Sequence, residues 1–236
     1  GVGAALGAET FLSIKCSKSG LWPSAAVVVA TRRDLMAAGG VPKGELNQEN
    51  VAAMTQRCAS LLDHVKVLQE VYGLPGVVAL VRFASDSPKE ECALLDMLRD
   101  KGIQAVVANP WGEGGKGCIE LAEAVVAACD TTDEPSPQYA YPLDLSYEEK
   151  LGSIARQVYG AAEVELTPSA RRDLKIYDEK FPGLPVCVAK TQYSLSDDPK
   201  RIGVPKDFTL HVRSVRINTG AGFVVALCGD IITMPG

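Results

Sequence analysis

Residues 73–108 read GLPGVVALVRFASDSPKEECALLDMLRDKGIQAVVA, and this stretch decides the fold class. Gly73-Leu74-Pro75-Gly76 breaks the chain, and Val77 to Val81 then forms a short apolar run rich in valine, with no polar alternation. Such a run suits a strand covered on both faces, the usual situation in a parallel sheet. Ser87-Pro88-Lys89-Glu90 predicts a helix start, with Ser as N-cap, Pro at the first helical position and Glu placed to complete a capping box. That helix runs to about Lys101, Gly102 ends it, and Ile103 to Ala108 is the next apolar strand. A strand, a helix and a strand with links this short predict a crossover between parallel neighbours.

Working outward, Ala25 to Thr31 (AAVVVAT) has the same strand character. Gly39-Gly40 and Pro42 interrupt the chain after it. From Asn47 to Tyr72, apolar residues at Val51, Met54, Cys58, Leu61, Leu62, Val65 and Leu68 follow helical spacing. Lys116 to Cys129 is a further predicted helix. The expected fold is therefore α/β: a mostly parallel sheet flanked by helices over residues 1–130. Asp130 to Asp144, polar and with three prolines, reads as a linker or surface loop, placed at 131–146. A smaller α+β subdomain is expected over 147–236. Capping signals at Ser146-Tyr147-Glu148-Glu149 and Thr167-Pro168 open its helices, and strands are expected at Pro185 to Ala189, Phe208 to Ile217 and Phe223 to Leu227. Both ends read as cut from a longer polypeptide.

Composition narrows the function. The chain has 236 residues and a net charge of -5, which gives no basic footprint for nucleic acid. No apolar run approaches the roughly 20 residues of a membrane span. Seven cysteines include no C-x-x-C pair, and the only histidines are His64 and His211, so neither a metal site nor a disulfide framework is expected. Reduced thiols point to a cytoplasmic setting.

Asn109 to Gly117 reads NPWGEGGKG. A Walker A loop needs a leading Gly and, after Gly-Lys, a Ser or Thr for the metal. Pro110 and Gly117 occupy those positions, so the loop is not a phosphate cradle of that kind. Its Trp111 follows one predicted strand, while Phe83 follows the preceding one. Ligands of open parallel sheets sit beyond the carboxyl ends of strands. Two aromatic rings there could hold a flat heteroaromatic ligand, each ring contributing about 1–3 kcal/mol, with Gly114 and Gly115 allowing close approach. On spacing alone, ordinary rim aromatics account for the pair equally well. Gly1-Val2-Gly3-Ala4-Ala5-Leu6-Gly7 lacks the preceding strand that a dinucleotide fingerprint requires.

Five collinear segments resemble the formate–tetrahydrofolate ligase family. Gly3 to Phe11 with Ile14-Lys15-Cys16 is similar to its G-A-D-L-G-A-E-K-F…I-K-C segment, and Val29 to Gly40 to its V-A-T-x-R-A-L-K-x-H-G-G signature. Trp111 to Gly117 with Glu120-Leu121-Ala122 resembles W-x-x-G-G-x-G…E-L-A. Ala189 to Ser194 matches a later landmark, as do Gly220 to Phe223 and Thr233 to Gly236 together.

The resemblance implies an enzyme that couples ATP, formate and tetrahydrofolate to give 10-formyltetrahydrofolate through formyl phosphate. Phe83 and Trp111 then flank the pterin, with Gly114 and Gly115 beside them. Asp86, Lys15, Arg33 and Lys190 are candidate polar support. It also implies an ATP phosphate loop upstream of this segment, so the isolated chain is expected to be inactive, and a homo-oligomeric parent. The chain departs from the pattern at Met36 (Lys), Ala38 (His), Asp34 (Ala), Val81 (Asn) and Ser87 (Thr). These departures keep open an alternative, a divergent non-catalytic folate-binding or scaffold module of the same fold.

Overall fold

The computed structural model describes residues 7–38, 41–46, 48–51, 54, 58–131, 136–191, 194–201 and 203–229. Residues 1–6, Gly39-Gly40, Gln192-Tyr193 and 230–236 of the motifs above lie outside the described residues. The chain divides into two compact units, Trp22–Pro137 and Gln138–Gly236 grouped with Val2–Leu21.

In the first unit β1 (Ala26–Thr31), β2 (Gly76–Val81) and β3 (Gln104–Ala108) lie in that order, all parallel. The central β2 is buried from Gly76 to Leu80, as its unbroken apolar run predicts. Helix α1 (Arg32–Ala38) leaves β1 directly; α2 (Ala59–Lys66) runs into a π-helical stretch at Val67–Val71. Of the helix predicted from Asn47, residues 47, 52–53 and 55–57 are outside the described set, while Met54, Cys58, Leu61, Val65 and Leu68 are buried on its apolar face.

Helix α3 (Pro88–Asp100) buries Leu94 and Leu98, one turn apart. Helix α4 (Ile119–Cys129) sets the small side chains of Ala124 and Ala128 on Val77, with Ala25, Val106 and Leu121 packed around them. It begins three residues later than predicted, because Gly114–Cys118 winds as a 3-10 turn first. Glycine favours helix least among the non-proline residues, and three of those five positions are glycine.

The capping box expected at Ser87 does not form. Ser87 is the N-cap by position, but its side chain makes no bond to the helix. Its hydroxyl turns instead to the Glu49 carboxylate, and Glu90 is drawn into a buried pair with Arg32.

The second unit holds β4 (Glu163–Leu166), β5 (Val186–Ala189), β6 (Thr209–Asn218) and β7 (Phe223–Cys228), in the order β4-β6-β7-β5. The pairs β4–β6 and β5–β7 are parallel, while β6–β7 is an antiparallel hairpin whose register shifts between Val212 and Ser214. Helix α5 (Tyr147–Gln157) carries the reciprocal Ser146–Glu149 box read from the sequence, and α6 (Pro168–Lys180) is capped by Thr167. Residues Phe11–Cys16 form a π-helix that continues into Ser17–Ser19. Lys18 ties this segment to the hairpin turn by donating to the carbonyls of Ala221 and Gly222. The fold class is α/β, with a parallel sheet in one unit and a mixed sheet in the other. Among the described residues no helix is long and apolar enough to cross a membrane.

Candidate functional site

Two turns leave the carboxyl ends of β2 and β3. Val81 pairs with Ala108, and the Arg82 amide donates to the Ala108 carbonyl at 2.9 Å, so the turns start from strands about 4.8 Å apart. In the first turn the Phe83 amide donates to Asp86 Oδ2 at 2.8 Å, and the Asp86 amide returns a bond to the Phe83 carbonyl at 3.0 Å. Asp86 thereby holds the backbone of Phe83, a residue 43% exposed.

Asn109 builds the second turn. Its side-chain oxygen accepts from the Gly112 amide at 3.1 Å, its carbonyl accepts from the Glu113 amide at 3.1 Å, and its own amide donates to the Gly117 carbonyl at 2.8 Å. Trp111 stands on this frame 91% exposed. The glycines have different reasons to be there. A Cβ on Gly117 would sit 2.4 Å from the Asn109 carbonyl oxygen, and Gly114 has φ +59°, so both are required by the turn itself. At Gly115 a Cβ would meet nothing within 4 Å. Among the described residues no neighbouring atom explains a glycine at that position.

A polar cleft of about 190 Å³ adjoins the second turn, lined among others by Arg82, Asn109, Glu113, Lys116 and Glu120. Neither aromatic ring is among its walls. Arg82 is already engaged by Glu91, with Nε donating to Oε2 at 2.8 Å.

Arg33, the position that fits the fixed arginine of the family pattern, is exposed, whereas Arg32 beside it is 3% exposed. The Arg32 guanidinium bonds both carboxylate oxygens of Glu90, which is fully buried, and donates to the Leu46 carbonyl at 2.5 Å and the Gln48 carbonyl at 2.6 Å. The sequence reading missed it because Arg32 occupies an open position of the pattern. The spacing of Arg32, Leu35 and Met36, all buried on one helix face, was the available signal.

Lys15 and Lys190 belong to the second unit. Lys15 is exposed, its ammonium 6.0 Å from the centre of the Phe11 ring. Lys190 is buried, donates to the Ser194 carbonyl and lies 4.7 Å from the Tyr159 ring centre; burial pulls its pKa down to about 8. Near it is Glu9, 1% exposed, which accepts from the Tyr159 hydroxyl at 3.4 Å and whose pKa is pushed up to about 7 by burial.

A carboxyl whose folded pKa exceeds its unfolded value stabilises the protein below the unfolded pKa, and that contribution is lost as pH rises through the folded pKa. From pH 5 to 7.5 Glu9 therefore destabilises the second unit progressively, on the order of 3 kcal/mol in full. Lys190 does not oppose this, since its contribution appears only above about 8. Thermal unfolding should show the wild-type midpoint falling over this interval, with Glu9→Gln flattening the dependence. An equal slope in both proteins would disprove the assignment.

His64 is buried with its pKa lowered to about 4 by burial, and so is neutral, as a structural histidine would be. His211 donates or accepts through Nδ1 at 2.9 Å from Asp197. Among the described residues no group of His, Cys, Asp and Glu could hold a metal ion.

A parallel α/β sheet with exposed rings at its carboxyl end is an architecture shared by many small-molecule enzymes. The profile of the formate–tetrahydrofolate ligase family matches residues 1–236. The formate–tetrahydrofolate ligase of Paracoccus denitrificans (strain Pd 1222) is 48% identical over 237 residues, covering 100% of this chain and 42% of the relative. That of Symbiobacterium thermophilum (strain DSM 24528 / JCM 14929 / IAM 14863 / T) is 47% identical over 238 residues, with the same coverage. The chain belongs to the formate–tetrahydrofolate ligase family, and it spans less than half the length of these relatives.

Proposed function

We propose that this chain supplies the folate side of a formate–tetrahydrofolate ligase, presenting tetrahydrofolate to formyl phosphate in an ATP-dependent synthesis of 10-formyltetrahydrofolate. One observation carries this reading: Phe83 and Trp111, both exposed, rise from the carboxyl ends of neighbouring parallel strands. Stacking on such rings is worth about 1–3 kcal/mol each. The pterin suits the site because Gly115, free of any internal constraint, leaves room beside Trp111. Asp86 and Asn109 serve by holding the two turns. ATP, when bound, supplies the phosphoryl group that activates formate. Asn109–Gly117 does not match a phosphate loop, and the same proposal assigns the ATP phosphates to a part of the parent upstream of this segment. Assembly of that parent as a homo-oligomer is part of the same proposal.

A second reading, a binding module that has lost the chemistry, draws on the buried Met36 and on Val81, where the family pattern has polar groups. Turnover of ATP, formate and tetrahydrofolate by the longer parent would eliminate it.

Titration with a reduced folate analogue tests the site. Saturable quenching of tryptophan emission is expected. Trp111→Ala should abolish it, and Trp22→Phe should preserve it. Absence of saturable quenching in the unaltered chain removes the folate assignment.

A further inference from the structure

Helix α3 lacks a side-chain cap at Ser87, yet its first turn follows directly on Asp86, the residue that fixes Phe83. What holds this turn in place is a buried network reaching from the end of β1. Arg32 spends its donors on Glu90 and on the carbonyls of Leu46 and Gln48, and Glu90 Oε1 also accepts from the Asn50 amide at 2.7 Å. The Ser87 hydroxyl bonds the neighbouring Glu49. The planar fork of arginine suits such a junction, because it can serve a carboxylate and two carbonyls at once.

Met36 lies four residues after Arg32 on α1, on the same face, and is 1% exposed. It lines a small cavity of about 100 Å³ with Gln48, Glu49 and Asn50, the segment that Arg32 and its partners grip. The family pattern has lysine at this position and leaves position 32 open. A lysine at 36 would extend along the same face toward the same acceptors.

We propose that Arg32 is a positioning residue that fixes the Phe83-bearing turn, supplying from one helical turn earlier the cation that the family pattern places at position 36. The junction joins α1, α3 and the segment carrying Leu46, Gln48 and Asn50, next to the turn that carries Phe83 after β2. One buried cation already serves Glu90 and both carbonyls there.

Hydrogen exchange followed by mass spectrometry on the full chain tests this without any ligand. In Arg32→Met, amides of peptides covering 41–51 and 82–91 should exchange about a hundredfold faster, with peptides of the second unit unchanged. Adding Met36→Lys to Arg32→Met should restore most of that protection, including recovery of a folded chain should the single variant not fold. Unchanged exchange in Arg32→Met, or a double variant no better than the single one, overturns the proposal.

A parallel titration with the folate analogue rests on the function proposed above, and should show affinity falling in Arg32→Met and returning in the double variant. Loss of analogue binding in the unaltered chain, with the exchange pattern intact, would remove the folate reading and leave the positioning role standing. Exchange restored without any return of affinity, in a chain that does bind the analogue, would overturn the link to Phe83.

Discussion

Glu90→Ala is expected to cost the first unit about 3–5 kcal/mol. The carboxylate is fully buried, and its removal deprives the Arg32 guanidinium, whose side chain is 4% exposed, of the carboxylate it is paired with. The Asn50 amide loses its acceptor at the same time. The guanidinium cannot recover water without opening the junction, and for this reason breaking a buried pair costs far more than its net contribution. Both tryptophans lie within Trp22–Pro137, so urea unfolding followed by tryptophan emission reports this unit directly. Glu91→Ala provides the contrast. Its partner Arg82 is 44% exposed, and a pair that close to solvent should be worth no more than about 1 kcal/mol. Similar losses in the two variants would show that the Arg32–Glu90 pair is not buried as described.

Gly117→Ala should cost about 2–3 kcal/mol and shift the emission of Trp111. The added methyl would stand 2.4 Å from the Asn109 carbonyl oxygen and 3.0 Å from the Glu113 Cβ. The first contact is with backbone, so relief requires opening the Asn109–Gly117 bond that closes the turn. Gly115→Ala separates scaffold from site. With nothing within 4 Å and no positive φ to accommodate, stability should change by less than about 0.5 kcal/mol, or rise slightly. Affinity for a folate analogue should nevertheless fall. Equal affinity in Gly115→Ala and the unaltered chain would deny that position a part in the pocket.

The three parallel strands were legible because each is a short apolar run between breakers, but only β2 is buried along its length; Val27 and Val29 of β1, read as a buried strand, are exposed on one face. Strand β4 was not legible. Its Glu163-Val164-Glu165-Leu166 is short and half acidic, and only pairing with β6 makes it a strand. At Ser87 local grammar pointed to a capping box, yet Glu90 found a stronger partner 58 positions away in sequence, where no local pattern reaches. The same distance hid Arg32, since Arg33 matched the motif and burial depends on the tertiary fold. Phe83 and Trp111 were legible as residues following strands, and Asp86 by its place in the motif. Their supports, Asn109 above all, emerge only from hydrogen bonds. Glu9 and Tyr159 come together from the two separate segments of the second unit, 150 positions apart, a contact that sequence spacing does not encode.

The order of the two units along the chain also matters during synthesis. Trp22–Pro137 interrupts the second unit, so a ribosome delivers the first unit whole before Gln138–Gly236 can join the segment that precedes Trp22. Leu12, Ile14 and Cys16, all buried in the finished protein, lie on a segment that packs on β5, a strand made only later. At roughly 5–20 residues per second that wait lasts on the order of 10–40 s. During this interval those three side chains lack the partners they have in the finished unit, which makes the segment a natural client for chaperones waiting at the exit tunnel.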